Sequence, residues 1–229
     1  MKKHLLLPCI LCSLLGSAQT TLNKANGNFV EVYDAYGRPL TVKNRNEVKG
    51  SPMLNDKWGK GTIKFRNKKI LENALLRFNL FSNKLFYKVD DMEFAIIDPV
   101  SEFSFSYEEN DEQHSVVFRN GYPGNTNLAS EVFYEVLSEG SRFQLLKHSY
   151  KTVQDYYEYG RTPTKIFRHA SELFIYDAKM QTLALVKNKQ PLTESVPVLT
   201  TEFAGTDNPF GKFKSEKDLI NLIAKINNK

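Results

Sequence analysis

From Leu76 onward, apolar and polar residues alternate with a period of two. In Leu76-Arg77-Phe78-Asn79-Leu80 the apolar side chains share one face, Leu85, Tyr87 and Val89 do the same, and Phe103, Phe105 and Tyr107 alternate with Glu102, Ser104 and Ser106. This is the pattern of strands with one buried face. Polar punctuation at Arg66 to Lys69, Ser82-Asn83, Asp90-Asp91 and Asp98-Pro99 separates the runs. Asn and Asp suit such turns because they tolerate left-handed backbone angles. A second batch of strands is predicted at His114–Arg119, Phe133–Leu137, Arg142–Lys147, Lys165–Arg168, Leu173–Tyr176 and Thr182–Val186. Asn120 to Gly124 is a break, and Glu139-Gly140-Ser141 is a hairpin turn. Asn127 to Leu137 is ambiguous between helix and strand. The period then changes: Leu219, Leu222, Ile223 and Ile226 form one helical stripe, preceded by Ser215-Glu216-Lys217-Asp218, a capping box with Asp in place of Glu. The expected fold is mainly β, an antiparallel meander of consecutive hairpins forming a curved sheet or partly open barrel. A helix from about Ser215 to Asn227 closes the chain.

The N-terminus follows a different rule. Lys2 and Lys3 precede an apolar run from Leu5 to Leu15, and small Gly16, Ser17 and Ala18 precede polar Gln19. That is the layout of a secretory signal peptide, with a run far short of the roughly 20 residues that cross a bilayer. Residues 1–18 are read as the signal peptide, cut after Ala18, and 19–229 as one β-rich domain with a weak boundary near 120–125. The chain's two cysteines, Cys9 and Cys12, fall inside the leader and fit neither a lipid-anchor site nor a folded redox setting. The expected location is periplasmic or secreted, and the expected mature chain has no cysteine, disulfide or thiolate site.

Charge then excludes little but points away from nucleic acid. The net charge of +5 falls to +3 once Lys2 and Lys3 are gone, and the basic residues are scattered. No membrane span is expected in the mature chain. His114, His148 and His169 show no metal-ligand spacing, and neither a Gly-x-Ser-x-Gly elbow nor a glycine-rich phosphate loop is present. No cofactor, metal or catalytic residue is assigned. Glu108 to His114 lacks the alternating ligands of a calcium loop and reads as a solvated hairpin tip. Val32 to Arg38 looks like a single unit of the YD repeats of large cell-surface proteins; its physical content is a hairpin turn at Ala35 to Arg38.

With coordination and long-range charge set aside, recognition falls to aromatic contact. Tyr150, Tyr156, Tyr157, Tyr159 and the lone Trp58 are the candidate ligand-binding residues. Tyr156 and Tyr157 are adjacent, so a regular strand turns at least one ring away from the core. Tyrosine combines a large rigid face with a polar tip.

Gly50-Ser51-Pro52-Met53-Leu54-Asn55, Trp58, Leu76 to Leu80 and Phe133-Tyr134-Glu135-Val136-Leu137 together resemble small exported β-rich proteins of Gram-negative bacteria, a group of unknown function. The resemblance implies export and β structure, and carries no site. The function expected is an exported, non-enzymatic binding or interaction module for an unidentified ligand or protein partner at the cell envelope. The alternatives are a periplasmic hydrolase with a dispersed active site and, third, an outer-membrane barrel, whose strands need to be longer than these.

Overall fold

The computed structural model describes residues 32–33, 39–40, 48–123, 130–160, 162–187, 192–197, 199 and 215–228. The leader, the turn at Ala35 to Arg38 and residues 124–129 lie outside this set. Two units are distinguished, 1–44 and 45–229. In the first, β1 (Val32–Tyr33) pairs antiparallel with β2 (Pro39–Leu40).

The second unit holds one ten-stranded antiparallel sheet, built of β3 (Gly59–Phe65), β4 (Ile70–Asn79), β5 (Lys84–Val89), β6 (Met92–Ala95), β7 (Val100–Glu109), β8 (Glu112–Arg119), β9 (Tyr134–Ser138), β10 (Phe143–Tyr156), β11 (Thr164–Asp177) and β12 (Thr182–Val186). Among the described residues, α1 (Leu192–Ser195) and α2 (Glu216–Asn227) follow. The spatial order is β12-β11-β10-β9-β8-β7-β3-β4-β5-β6. β3 to β6 step outward, the chain returns to pair β7 with β3, and the remaining strands step the other way. The predicted mainly β fold with its C-terminal helix is therefore observed.

Turn chemistry explains the hairpins. Asn110 and Asp111, with φ of 51° and 63°, form a two-residue turn between the paired Glu109 and Glu112. Two positive φ values in succession match the twist of the flanking strands. The acidic run is thus a solvated hairpin tip. Lys68, Asn83, Asp90 and Gln181 also have positive φ at their turns. Asp177 Oδ1 accepts hydrogen bonds from the Lys179 and Met180 backbone N–H groups at 2.9 and 3.1 Å.

Several elements differ from expectation. β3 and β6 were not predicted. β10 continues to Tyr156, and β11 is one strand where two short ones were read. Of the ambiguous stretch, Tyr134–Ser138 is a strand.

The sheet is open but strongly curved. The Lys151 N–H lies 3.3 Å from the Leu80 carbonyl at the end of β4. Five strand steps separate β10 from β4, about 24 Å across a flat sheet. Residues 49–54 strap the gap: the Lys49 N–H donates to Lys165 O at 2.8 Å, and the Leu54 N–H to Phe78 O at 2.8 Å. The Lys151 ammonium caps the strap through the carbonyls of Ser51 and Met53, at 2.8 and 2.6 Å. The inner face so enclosed carries Ile63, Leu76, Phe78, Phe103, Phe105 and Phe118 at one end. At the other end, Leu219, Ile223 and Ile226 of α2 cover Phe143, Leu145 and Ile175. Ser215 caps α2, its hydroxyl accepting from the Asp218 N–H at 3.2 Å.

Candidate functional site

Three features of this sheet hold chemistry: the sequence-predicted tyrosines, an ionisable group of the inner face, and a depression on the outer face.

The tyrosines lie on and beyond β10. Tyr150 stacks on His148, centroids 5.1 Å apart, and Tyr134 packs against the same imidazole at 5.7 Å. Burial pushes the His148 pKa down, favouring the neutral ring. Tyr156, Tyr157 and Tyr159 are exposed at the end of the β10–β11 hairpin; Tyr157 keeps 73% of its surface and Tyr159 all of it. Both members of the adjacent pair are available. Trp58 sits elsewhere, immediately before β3, with the Arg77 guanidinium 5.2 Å from its ring centroid. Among the described residues no ring contact joins Trp58 to any of the four tyrosines.

The inner face carries Glu135, which the sequence reading passed over. It lies in register between Phe118 of β8 and Lys147 of β10. Its strand face is shared with Phe133 and Leu137, so a carboxylate replaces an apolar residue in the interior pattern. Burial raises its pKa; Lys147 and His114 pull it down, and Glu216 pushes it up. Lys147 is itself paired with Glu216 of α2 at 3.0 Å. Burial, helped by Glu109 and Glu135, also raises the nearby Tyr107.

The sign of the consequence follows from linkage. The folded chain holds the Glu135 proton more tightly than the unfolded chain does. Ionisation therefore opposes folding, from the ordinary value of 4.5 upward. Glu135→Gln is expected to raise the melting temperature at pH 8, with the gain shrinking toward pH 4. Thermal melts across that range test it; a gain independent of pH would sink it.

The outer face carries a depression of about 500 Å³ lined by Lys60, Thr62, Asn73, Ser104, Ser106, Ser115 and Val117. The residues come from four strands aligned by register: Thr62 pairs with Ser104 and Ser104 with Val117, while Lys60 pairs with Ser106 and Ser106 with Ser115. The Ser106 and Ser115 hydroxyls are bonded at 2.7 Å. Its β4 rim comes from a bulge. Gly61 pairs with Ala74 but Ile63 with Leu71, so β4 carries one extra residue, and Asn73 takes a φ of 57°. Gly61, between Lys60 and Thr62, faces the core, where a Cβ would collide with the Ser104 carbonyl and Phe105. Trp58 belongs to this face. Leu76 points inward, so Arg77 points outward, and the indole under its guanidinium lies two residues before Lys60 on the same side of the strand.

The cations around the depression are paired, with one exception. Lys64 bonds Glu102 at 2.7 Å, Arg119 bonds Glu102 at 2.6 Å and Glu139 at 3.0 Å, and Lys57 reaches Glu108 at 3.6 Å. Burial alone would raise Glu102, but the hydrogen bonds from Lys64 and Arg119 hold its pKa below the ordinary value. The Lys60 ammonium has no hydrogen-bond or ion-pair partner among the described residues. Among those residues no group of His, Cys, Asp and Glu forms a metal site, and no helix is long and apolar enough to cross a membrane. Comparison with family models, curated proteins and solved structures finds no match to this chain.

Proposed function

We propose that the chain is an exported, non-enzymatic binding module that takes its ligand on the outer face of the sheet, in this depression. The carrying observation is the convergence in one 500 Å³ concavity of hydroxyl groups from three strands and an unpaired lysine, with an indole two residues before that lysine on the same face. Binding pockets combine a preformed hollow with a few oriented polar groups. Register, not a mobile loop, positions the groups here, so little ordering is needed when a ligand arrives.

The chain's single tryptophan makes the reading testable. A ligand found by thermal-shift screening is expected to change Trp58 emission on titration, and a folded Thr62→Arg variant, which fills the hollow, is expected to lose it. A second reading places the contact at Tyr156, Tyr157 and Tyr159, favoured by their exposure at a hairpin end. The Tyr156→Ala/Tyr157→Ala variant separates the two. If it loses the ligand while Thr62→Arg keeps it, the tyrosine end is the site and the depression is not.

A further inference from the structure

We infer that the ligand of the outer depression is an acidic saccharide: a hydroxyl-rich ring bearing one carboxylate or sulfate. The inference rests on the binding reading above and adds the chemical class.

The floor sets the first requirement. Thr62, Ser104, Ser106 and Ser115 present hydroxyls that both donate and accept, and Asn73 adds an amide with both functions. Such a set matches a partner that also carries groups of both kinds at close spacing, as a sugar ring does. An apolar ligand would strip these groups of water without replacing the hydrogen bonds. A ligand of high charge density would find one charged side chain among the lining residues.

That side chain sets the second requirement. Lys60 is the lining's single ionic group, it is exposed, and no carboxylate lines the hollow to answer it. The ion pairs around the hollow, Lys64–Glu102, Arg119–Glu139 and Lys57–Glu108, are internally satisfied and leave Lys60 as the cation free to take an anion. One acid group per bound ring is the complementary charge.

Trp58 sets the third. Its ring lies on the same face of the sheet, two residues before Lys60 in the chain, held under Arg77, which is in turn 3.8 Å from Glu93. An indole with a fixed orientation offers a flat apolar surface to the C–H face of a sugar ring at little entropic cost. The hollow is open to solvent along the sheet, so a ring within a longer chain fits as well as an isolated one.

The test titrates the full mature chain with trigalacturonate, galactose 6-sulfate, neutral cellotriose and adipate, following Trp58 emission and heat. Trigalacturonate or the sulfated sugar is expected to bind, at least tenfold more tightly than cellotriose, with adipate silent. Which of the two binds identifies carboxylate or sulfate as the acid. Lys60→Gln should bring the acidic ligand to the affinity of the neutral one, about a tenfold loss, because a charge-assisted hydrogen bond is removed. Ser106→Ala/Ser115→Ala should weaken both saccharides together. Both variants alter solvent-facing groups, and matching melts confirm that they fold. Equal binding of cellotriose and the acidic saccharides, or adipate binding as well as either, overturns the class. If no saccharide binds but another screened ligand shifts Trp58 and is lost in Thr62→Arg, the class fails and the binding site stands. If the screened ligand is lost only in the tyrosine variant, both fail.

Discussion

Phe103→Ala is expected to lower the stability of the sheet unit by about 3–5 kcal/mol, the range for a large aromatic removed from a core that cannot collapse around the gap. Phe103 is fully buried on β7, the strand next to β3 in the middle of the sheet. Its ring centroid lies 5.1 Å from Phe78, 5.0 Å from Phe118 and 5.0 Å from Phe133, and Phe133 enters from the loop before β9. The three neighbours belong to three separate segments, Phe78 and Phe118 held in backbone ladders and Phe133 by its N–H bond to Asn83 Oδ1 at 3.3 Å, so none can move in without breaking these bonds. For a domain of this size the loss corresponds to a melting temperature lower by about 6–20 °C. Urea unfolding of the two proteins measures it directly. Tyr157→Ala, at an exposed position, should stay within about 0.5 kcal/mol of the wild type. A Phe103→Ala loss under about 1 kcal/mol would mean that the aromatic cluster is not a packed core.

The same cluster shows why part of the fold was legible in sequence and part was not. Phe103, Phe105 and Tyr107 alternate cleanly because β7 faces the core on one side only. β3 hides its alternation: its inward positions are Gly59, Gly61, Ile63 and Phe65, and the missing side chains at the two glycines are replaced by the Phe105 ring lying over their backbone. The apolar volume of β3 is written in β7. β11 was split in two because His169 and Ser171 occupy inward positions beyond the reach of α2, where the inner face is wet. The C-terminal helix was readable because its stripe, cap and length agree at one place in the chain. The outer depression was not, since its floor is assembled from four strands, with Thr62 and Ser104 far apart in sequence, that become neighbours only through register. Trp58 was singled out as an aromatic, but its place beside Lys60 follows from the direction of Arg77. Glu135 did leave a local signal, a charge at an inward position between Phe133 and Leu137.

The second large effect is expected at the far end of α2. Asn227 closes the helix and stitches it to the sheet with one side chain. Its amide nitrogen donates to Phe143 O at 2.8 Å and Ile223 O at 3.0 Å, and its oxygen accepts from the N–H groups of Phe143 and Arg142 at 3.0 and 3.4 Å. The side-chain amide stands in for a peptide unit of a neighbouring strand, satisfying both backbone groups of Phe143 as β10 begins. Gly140 is tailored to it, because a Cβ there would collide with the Asn227 amide. Four hydrogen bonds at about 1 kcal/mol each put the cost of Asn227→Ala at about 3–4 kcal/mol. The apolar seat of α2 on Leu219, Ile223 and Ile226 remains, so the helix should loosen from its C-terminal end and not detach. Hydrogen exchange should show this as faster exchange at Arg142 and Phe143 and over the last turn of α2, with Leu219 least affected. Asn221→Ala, on the exposed side of the same helix, removes an asparagine and improves helix propensity, and should leave stability level or slightly higher. If Asn227→Ala costs no more than Asn221→Ala, the amide bridge is not what holds α2 to β10, and its apolar stripe alone accounts for the docking.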